Sequence, residues 1–128
     1  MKPLTREWVQ KAEGDYASAL RELRAREAPN YDAACFHAQQ CAEKYLKACL
    51  QEKGIPFGKT HDLSVLLDGL VTSKNTLELL RPALRALSVF AVEYRYPGES
   101  ADKKTAKDAV ALCSDVRKEL RAFLKIKE

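Results

Sequence analysis

The sequence predicts an all-α protein, an up-down antiparallel bundle of four main helices plus one short helix, with residues 1–128 forming a single helical domain. Three observations carry that reading. Apolar residues recur at steps of three and four along the chain, the period of a helix that buries one stripe. Only 5 Gly and 5 Pro are present, gathered at a few breaks, so the elements between them are long. No segment alternates apolar and polar residues as a half-buried strand would, and there is no internal repeat or low-complexity tract. Short connections then make successive helices antiparallel neighbours.

The first helix is expected from Thr5 to about Arg26, with Trp8, Ala12, Tyr16, Ala19, Leu20 and Leu23 on one stripe. Thr5 reads as its N-cap and Gly14 as a weak point. Pro29 ends it, and Asn30 caps a second helix from Tyr31 to about Lys53. Tyr31, Ala34, Ala38, Cys41, Ala42, Tyr45 and Cys49 form its buried face, small enough for a neighbour to approach closely. Glu43, Lys47 and Phe36 fall on the opposite side. An outward Phe36 serves either a second core face or a subunit interface. Gly54 to Lys59 is a loop. A short helix follows from Asp62 to Val71, striped by Leu63, Leu66, Leu67 and Leu70. Asn75 is placed to cap a fourth segment that runs to about Tyr94, within which Pro82 marks a kink or a fresh helix. Leu80, Leu84, Leu87, Ala91 and Tyr94 repeat along it. Pro97-Gly98 is a type II turn pair, and the last helix runs from Asp102 to about Lys125 with Ala109, Leu112, Cys113, Val116, Leu120, Phe123 and Leu124 inward.

Composition narrows the function classes. A hydrophobic fraction of 46% excludes disorder, and a net charge of +4 from 22 basic and 18 acidic residues, mixed along every segment, does not describe a dedicated duplex-DNA binder. Cys35, Cys41, Cys49 and Cys113 include no CxxC pair, and no secretory signal or membrane-length apolar run is present. The thiols read as reduced packing residues of a cytoplasmic protein without membrane contact.

Sequence motifs for common chemistry are absent: there is no GxGxxG, P-loop, HExxH or GxSxG. His37 and Cys41 lie four apart on one helix but supply two metal ligands where a site needs three or four, so no metal and no cofactor is expected. His37, Gln40 and Lys44 form a polar row at spacings of three and four. It suits a phosphate or a partner's backbone, or else is a solvated helix edge. His61 and Asp62 resemble a catalytic pair, although neighbours in sequence do not face each other, and helix capping by Thr60 or Asp62 is the simpler role. Glu93 to Glu99 is the most distinctive stretch, with Arg95 between Tyr94 and Tyr96. Aromatic neighbours can hold a guanidinium flat for phosphate recognition, and tyrosines can stack bases, while a cation there also suits the helix dipole.

Together these pieces resemble the HEPN family, the higher-eukaryote and prokaryote nucleotide-binding domain. The resemblance rests on Trp8 with Ala12 to Tyr16, on Phe36-His37-Ala38-Gln39-Gln40-Cys41-Ala42-Glu43-Lys44-Tyr45-Leu46-Lys47-Ala48, on Thr60-His61-Asp62-Leu63, and on Tyr94-Arg95-Tyr96-Pro97. These blocks span nearly the whole chain in the family's order. The resemblance implies a bundle of four or five helices, often a homodimer, frequently encoded beside a minimal nucleotidyltransferase in toxin–antitoxin-type modules. Many members are metal-independent ribonucleases that use an Arg and a His with four to six residues between them. Arg95 stands where that Arg belongs, but Ser100, Ala101 and Asp102 occupy the histidine's positions, and none of these is an imidazole acid or base. The expectation is therefore a domain that binds a nucleotide, RNA or a partner nucleotidyltransferase and leans away from catalysis. Arg95, Tyr96, Glu99, His37, Gln40 and Lys44 are its candidate contacts, and Phe36 its candidate dimer contact. A divergent endoribonuclease using Arg95, with His37 or His61 as its imidazole, and a purely structural dimeric adaptor are the alternatives.

Overall fold

In the computed structural model, which describes residues 1–127, five α-helices and one 3-10 turn follow one another: α1 (Pro3–Arg24), α2 (Tyr31–Lys53), α3 (Leu63–Val71), the 3-10 turn (Asn75–Leu80), α4 (Arg81–Glu93) and α5 (Lys103–Phe123). No strand occurs among the described residues. The all-helical bundle is the one the sequence predicts. Its centre is α2, which packs against α1, α3, α4 and α5. Thr5 near the start of α1 bonds Glu52 near the end of α2 (3.0 Å), while Asp15 meets His37, so these two helices run antiparallel.

Local chemistry sets the helix ends. Asn30 accepts from Ala33 N (2.9 Å), Asp62 from Ser64 N (2.9 Å) and Asp102 from Thr105 N (2.7 Å), each satisfying an amide that the helix leaves unpaired. At the other end of α2, Gly54 adopts φ +68°, and Ile55 N reaches back to Leu50 O (2.9 Å). This left-handed closure suits glycine and turns the chain sharply toward α3. Gly98, with φ +101°, supplies the positive φ that the position after a turn proline requires. Pro82 lies in the first turn of α4, so it opens a fresh helix rather than kinking an old one.

Two expected caps are corrected. Thr5 is not an N-cap: α1 begins at Pro3, whose fixed φ suits a first helical turn, and Thr5 is fully buried inside the helix, donating to Glu52. Asn75 caps nothing, because the segment after Lys74 winds as a 3-10 turn and no side-chain bond closes its start.

One contiguous core unites Ala12, Cys41, Tyr45, Leu66, Leu84, Cys113, Val116 and Leu120 with their neighbours. Burying a leucine such as Leu67 or Leu87 contributes about 2 kcal/mol against solvent exposure. Because α2 is enclosed by four helices, it has little outward face. Glu43 and Lys47, expected on its solvated side, are buried at 2% and 6% exposure and pair with each other at 3.2 Å. The four cysteines are free and buried; burial pushes the Cys35 thiol up to about 11, so it carries little nucleophilic thiolate at neutral pH.

Candidate functional site

A cleft of about 530 Å³ opens between α2, the start of α3 and the end of α4. Phe36, Gln39 and Gln40 form its α2 wall; Ser88, Ala91, Val92 and Arg95 form the opposite wall; His61 and Asp62 close one side. Several contacts fix the walls. Arg81 binds Asp68 (2.6 Å) and Glu78 (2.6 Å) and reaches Ser64 O (3.4 Å), locking α3 to the base of α4. Asp32 accepts from Ala101 N at 2.7 Å, tying the return of the Arg95 turn to the first turn of α2.

Arg95 is exposed, and among the described residues its guanidinium has neither an ion pair nor a side-chain hydrogen bond. Its aromatic neighbour is the Phe36 ring, with Cζ 6.0 Å from the centroid, a distance at which the ring face attracts a cation. Among the described residues neither flanking tyrosine is its ring partner. Tyr94 is half-buried against the core, and Tyr96 stands 64% exposed on the turn. The aromatic partner comes from α2 instead.

The opposite side of the cleft holds a feature that sequence reading missed. His61 Nδ1 lies 3.1 and 3.2 Å from the two carboxylate oxygens of Glu43. The His61 side chain is 77% exposed and that of Glu43 3%. An ionised carboxylate only accepts, so Nδ1 donates to Glu43, and among the described residues no hydrogen bond occupies Nε2. Glu43 is also held by Lys47 Nζ (3.2 Å) and, more loosely, by Gln39 Nε2 (3.4 Å), while Lys47 sits 5.5 Å from the Trp8 ring centroid. Asp62 is not the partner of His61; its carboxylate caps α3, and Thr60 Oγ1 accepts from Asp62 N (3.1 Å). Of the two residues expected to cap this corner, Asp62 caps α3, and Thr60 closes the turn that leads into it.

The other sequence candidates divide. Gln40 lines the cleft and donates to Gln39 Oε1 at 2.8 Å, so Phe36, Gln40 and Arg95 are brought together. His37 and Lys44 belong to the same helix but turn to Asp15 on α1, His37 through Nδ1 at 2.8 Å. Tyr96 and Glu99 lie exposed on the turn beyond Arg95. Cys41 is fully buried while His37 is half-exposed, and no group of three or more metal-ligating side chains occurs among the described residues. Likewise, none of the described helices is long and apolar enough to cross a membrane.

Neither Glu43 nor His61 announces the pairing in sequence, since eighteen residues separate them. The signal available in α2 is the i, i+4 spacing of Glu43 and Lys47, which lets the two pair with each other and so be buried together on a helix that other elements enclose.

Known structures share this fold. TT1696 from Thermus thermophilus superposes on 93% of this chain and 97% of its own, with a TM-score of 0.78 and 26% identity. ST0689, an archaeal HEPN homologue, superposes on 99% of this chain and 100% of its own, with a TM-score of 0.69 and 24% identity. No curated protein matches the chain. The HEPN domain family model matches residues 5–123, from within the first turn of α1 to the end of α5. On that match, over nearly its full length, the chain belongs to the HEPN domain family.

Proposed function

We propose that the cleft binds the phosphate-bearing end of a nucleotide or RNA, with Arg95 as the phosphate ligand and Phe36 as the aromatic surface beside it. The observation that carries this reading is an arginine left unpaired over an aromatic ring at the mouth of a cleft. A guanidinium offers a planar fork of donors that matches phosphate, and an adjacent ring offers a base somewhere to stack. Gln40 and the free edge of His61 supply further hydrogen-bonding groups on the facing walls. The chain lacks the Arg-x4–6-His ribonuclease motif, and we read it as a binding component that works beside a partner, a minimal nucleotidyltransferase in a toxin–antitoxin-type module being the kind its family favours. The rival reading, a dimeric adaptor, assigns the exposed apolar Phe36, Val89 and Val92 on or beside the cleft walls to a homodimer contact instead, and Phe36→Glu should then disrupt the dimer in sedimentation.

Binding of ATP and of a short labelled RNA to the purified chain tests the main reading. Arg95→Ala should weaken both by roughly tenfold or more, the loss of one to two charge-assisted hydrogen bonds, with the melting temperature unchanged. Binding that ignores the substitution overturns it.

One observation favours a second reading, a metal-independent endoribonuclease. His61 shares the cleft with Arg95 and is oriented by a buried carboxylate, so its Nε2 is placed to take a proton from a hydroxyl while Arg95 stabilises phosphate charge. That reading requires RNA cleavage without added metal that is lost in both Arg95→Ala and His61→Ala and kept in His37→Ala. Intact RNA at high protein concentration rejects it.

A further inference from the structure

A second groove, of about 590 Å³, lies where α1 ends and α5 begins. Arg24 and Arg26 line it from the α1 side, and Lys103 and Lys107, one turn apart on α5, line it from the other; Tyr31, the first residue of α2, contributes an aromatic side chain. All four cations are exposed, and among the described residues none has a side-chain hydrogen bond or ion pair. No carboxylate lines the groove; of the acids close by in sequence, Asp102 accepts from Thr105 N, Asp108 holds Lys104 and Asp32 accepts from Ala101 N, while Glu27 is exposed beside Arg26.

The charge is placed against local preference. A helix start carries partial positive charge and favours acids in its first turn, yet the first turn of α5 has none and instead holds Lys103 and Lys104. Asp102 at the N-cap answers the dipole and Lys104 pairs with Asp108 (3.0 Å), which leaves Lys103 and Lys107 as the cations at this helix start that an anion in the groove would meet. Tyr31 borders the groove and Phe36 the Arg95 cleft; on α2 they are five residues apart, about 7.5 Å along the axis and about 140° around it, so a ligand reaching both sites would wrap round the start of α2. The segment between Arg95 and Lys103 is held against α2 by the Asp32 bond to Ala101.

We propose that the groove holds the sugar–phosphate backbone of a single-stranded RNA, so that the ligand is an extended strand and not a mononucleotide. This rests on the nucleotide reading of the Arg95 cleft, which favours RNA over an acidic peptide as the polyanion. A charged track with aromatic surfaces beside it is how single strands are commonly held without sequence preference.

The test is fluorescence anisotropy with a labelled ten-nucleotide oligouridylate across a salt series, on the full chain and on a variant carrying Arg24→Ser, Arg26→Ser, Lys103→Ser and Lys107→Ser. Each single-strand phosphate contact contributes about 0.7 to the slope of log affinity against log salt, so the variant should lose up to about 3 from that slope. Its ATP binding and melting temperature should stay at the wild-type values. Exchanging each lysine for arginine and each arginine for lysine should preserve the slope. An unchanged slope in the serine variant overturns the proposal, and so does a slope change seen with polyglutamate but not with RNA. If wild type fails to bind ATP while the strand still shows the cation-dependent slope, the cleft reading fails and the groove stands.

Discussion

His37 and His61 sit in triads of the same composition. Each shares its Nδ1 edge with a carboxylate that also holds a lysine: Asp15 with Lys44 for the first, Glu43 with Lys47 for the second. They differ in where the parts come from and what the other ring edge meets. In the first, Asp15 belongs to α1 and both of its partners to α2, so the triad clamps two helices together, and the half-exposed His37 ring leans on Phe36 (5.4 Å between centroids). In the second, carboxylate and lysine both belong to α2 and are buried, and His61 arrives from a separate segment with its ring three-quarters exposed beside the cleft. The same pairing therefore joins two helices in one place and fixes an exposed imidazole beside the cleft in the other; the exposure of the ring is the difference.

The sharpest way to break the comparison is to remove each lysine's charge while keeping its stem. Lys47→Met leaves Glu43 ionised in a buried site with only partial compensation, and should cost about 3–5 kcal/mol. Lys44→Met removes a partner that is 24% exposed from an Asp15 side chain that water can still reach; about 1 kcal/mol is expected. Urea denaturation with unchanged m-values measures both. Equal losses would mean that the two carboxylates are equally solvated, and the distinction drawn from their burial would fail.

A third polar cluster sharpens the contrast with pH. Glu13 receives Arg117 through two bonds of 2.7 Å, Arg121 lies 3.4 Å away, and Tyr45 donates at 2.7 Å. The Arg117 guanidinium holds the Glu13 carboxyl below its ordinary value of 4.5, with burial acting in the opposite direction. The folded chain then binds fewer protons than the unfolded one, so this contribution is complete above the ordinary glutamate range and is lost as pH falls through the lowered value. Because the side chain is one-third exposed, solvent screening limits the effect to about 1 kcal/mol. Urea midpoints from pH 6 to 3 should fall less steeply in Glu13→Gln than in wild type, and parallel profiles would refute the assignment.

Much of the fold was legible because helix periodicity and capping are local. The stripes of α1, α3, α4 and α5, the Asn30 cap and the Pro97-Gly98 turn all follow from neighbours within a few residues. Periodicity failed where burial is not periodic: α2 is covered on nearly every side, so a stripe argument put Glu43 and Lys47 in solvent when they are buried. Thr5 was misplaced because Pro3 was not weighed as a helix start. For the site, Arg95, Phe36 and Gln40 were named from sequence and meet at one cleft. The Glu43–His61 pair was out of reach, since only the path of the loop from Gly54 to Thr60 brings His61 back onto α2.

The smallest expected effect concerns the residue between two of these carboxylates. Gly14 lies in mid-α1, flanked by Glu13, which faces α5, and Asp15, which faces α2. A Cβ at this position would meet no atom within 4 Å, so Gly14→Ala should encounter no clash. It would reduce the entropy of the unfolded chain and raise stability by about 0.5–1 kcal/mol, leaving the pH profile set by Glu13 unchanged. Thermal melts at pH 7 and pH 4 measure both properties together. Destabilisation at both pH values would show that the two carboxylates hold this turn in a geometry that alanine resists; the glycine would then be a requirement of the clamps, and the weak point expected from helix propensity would be serving them.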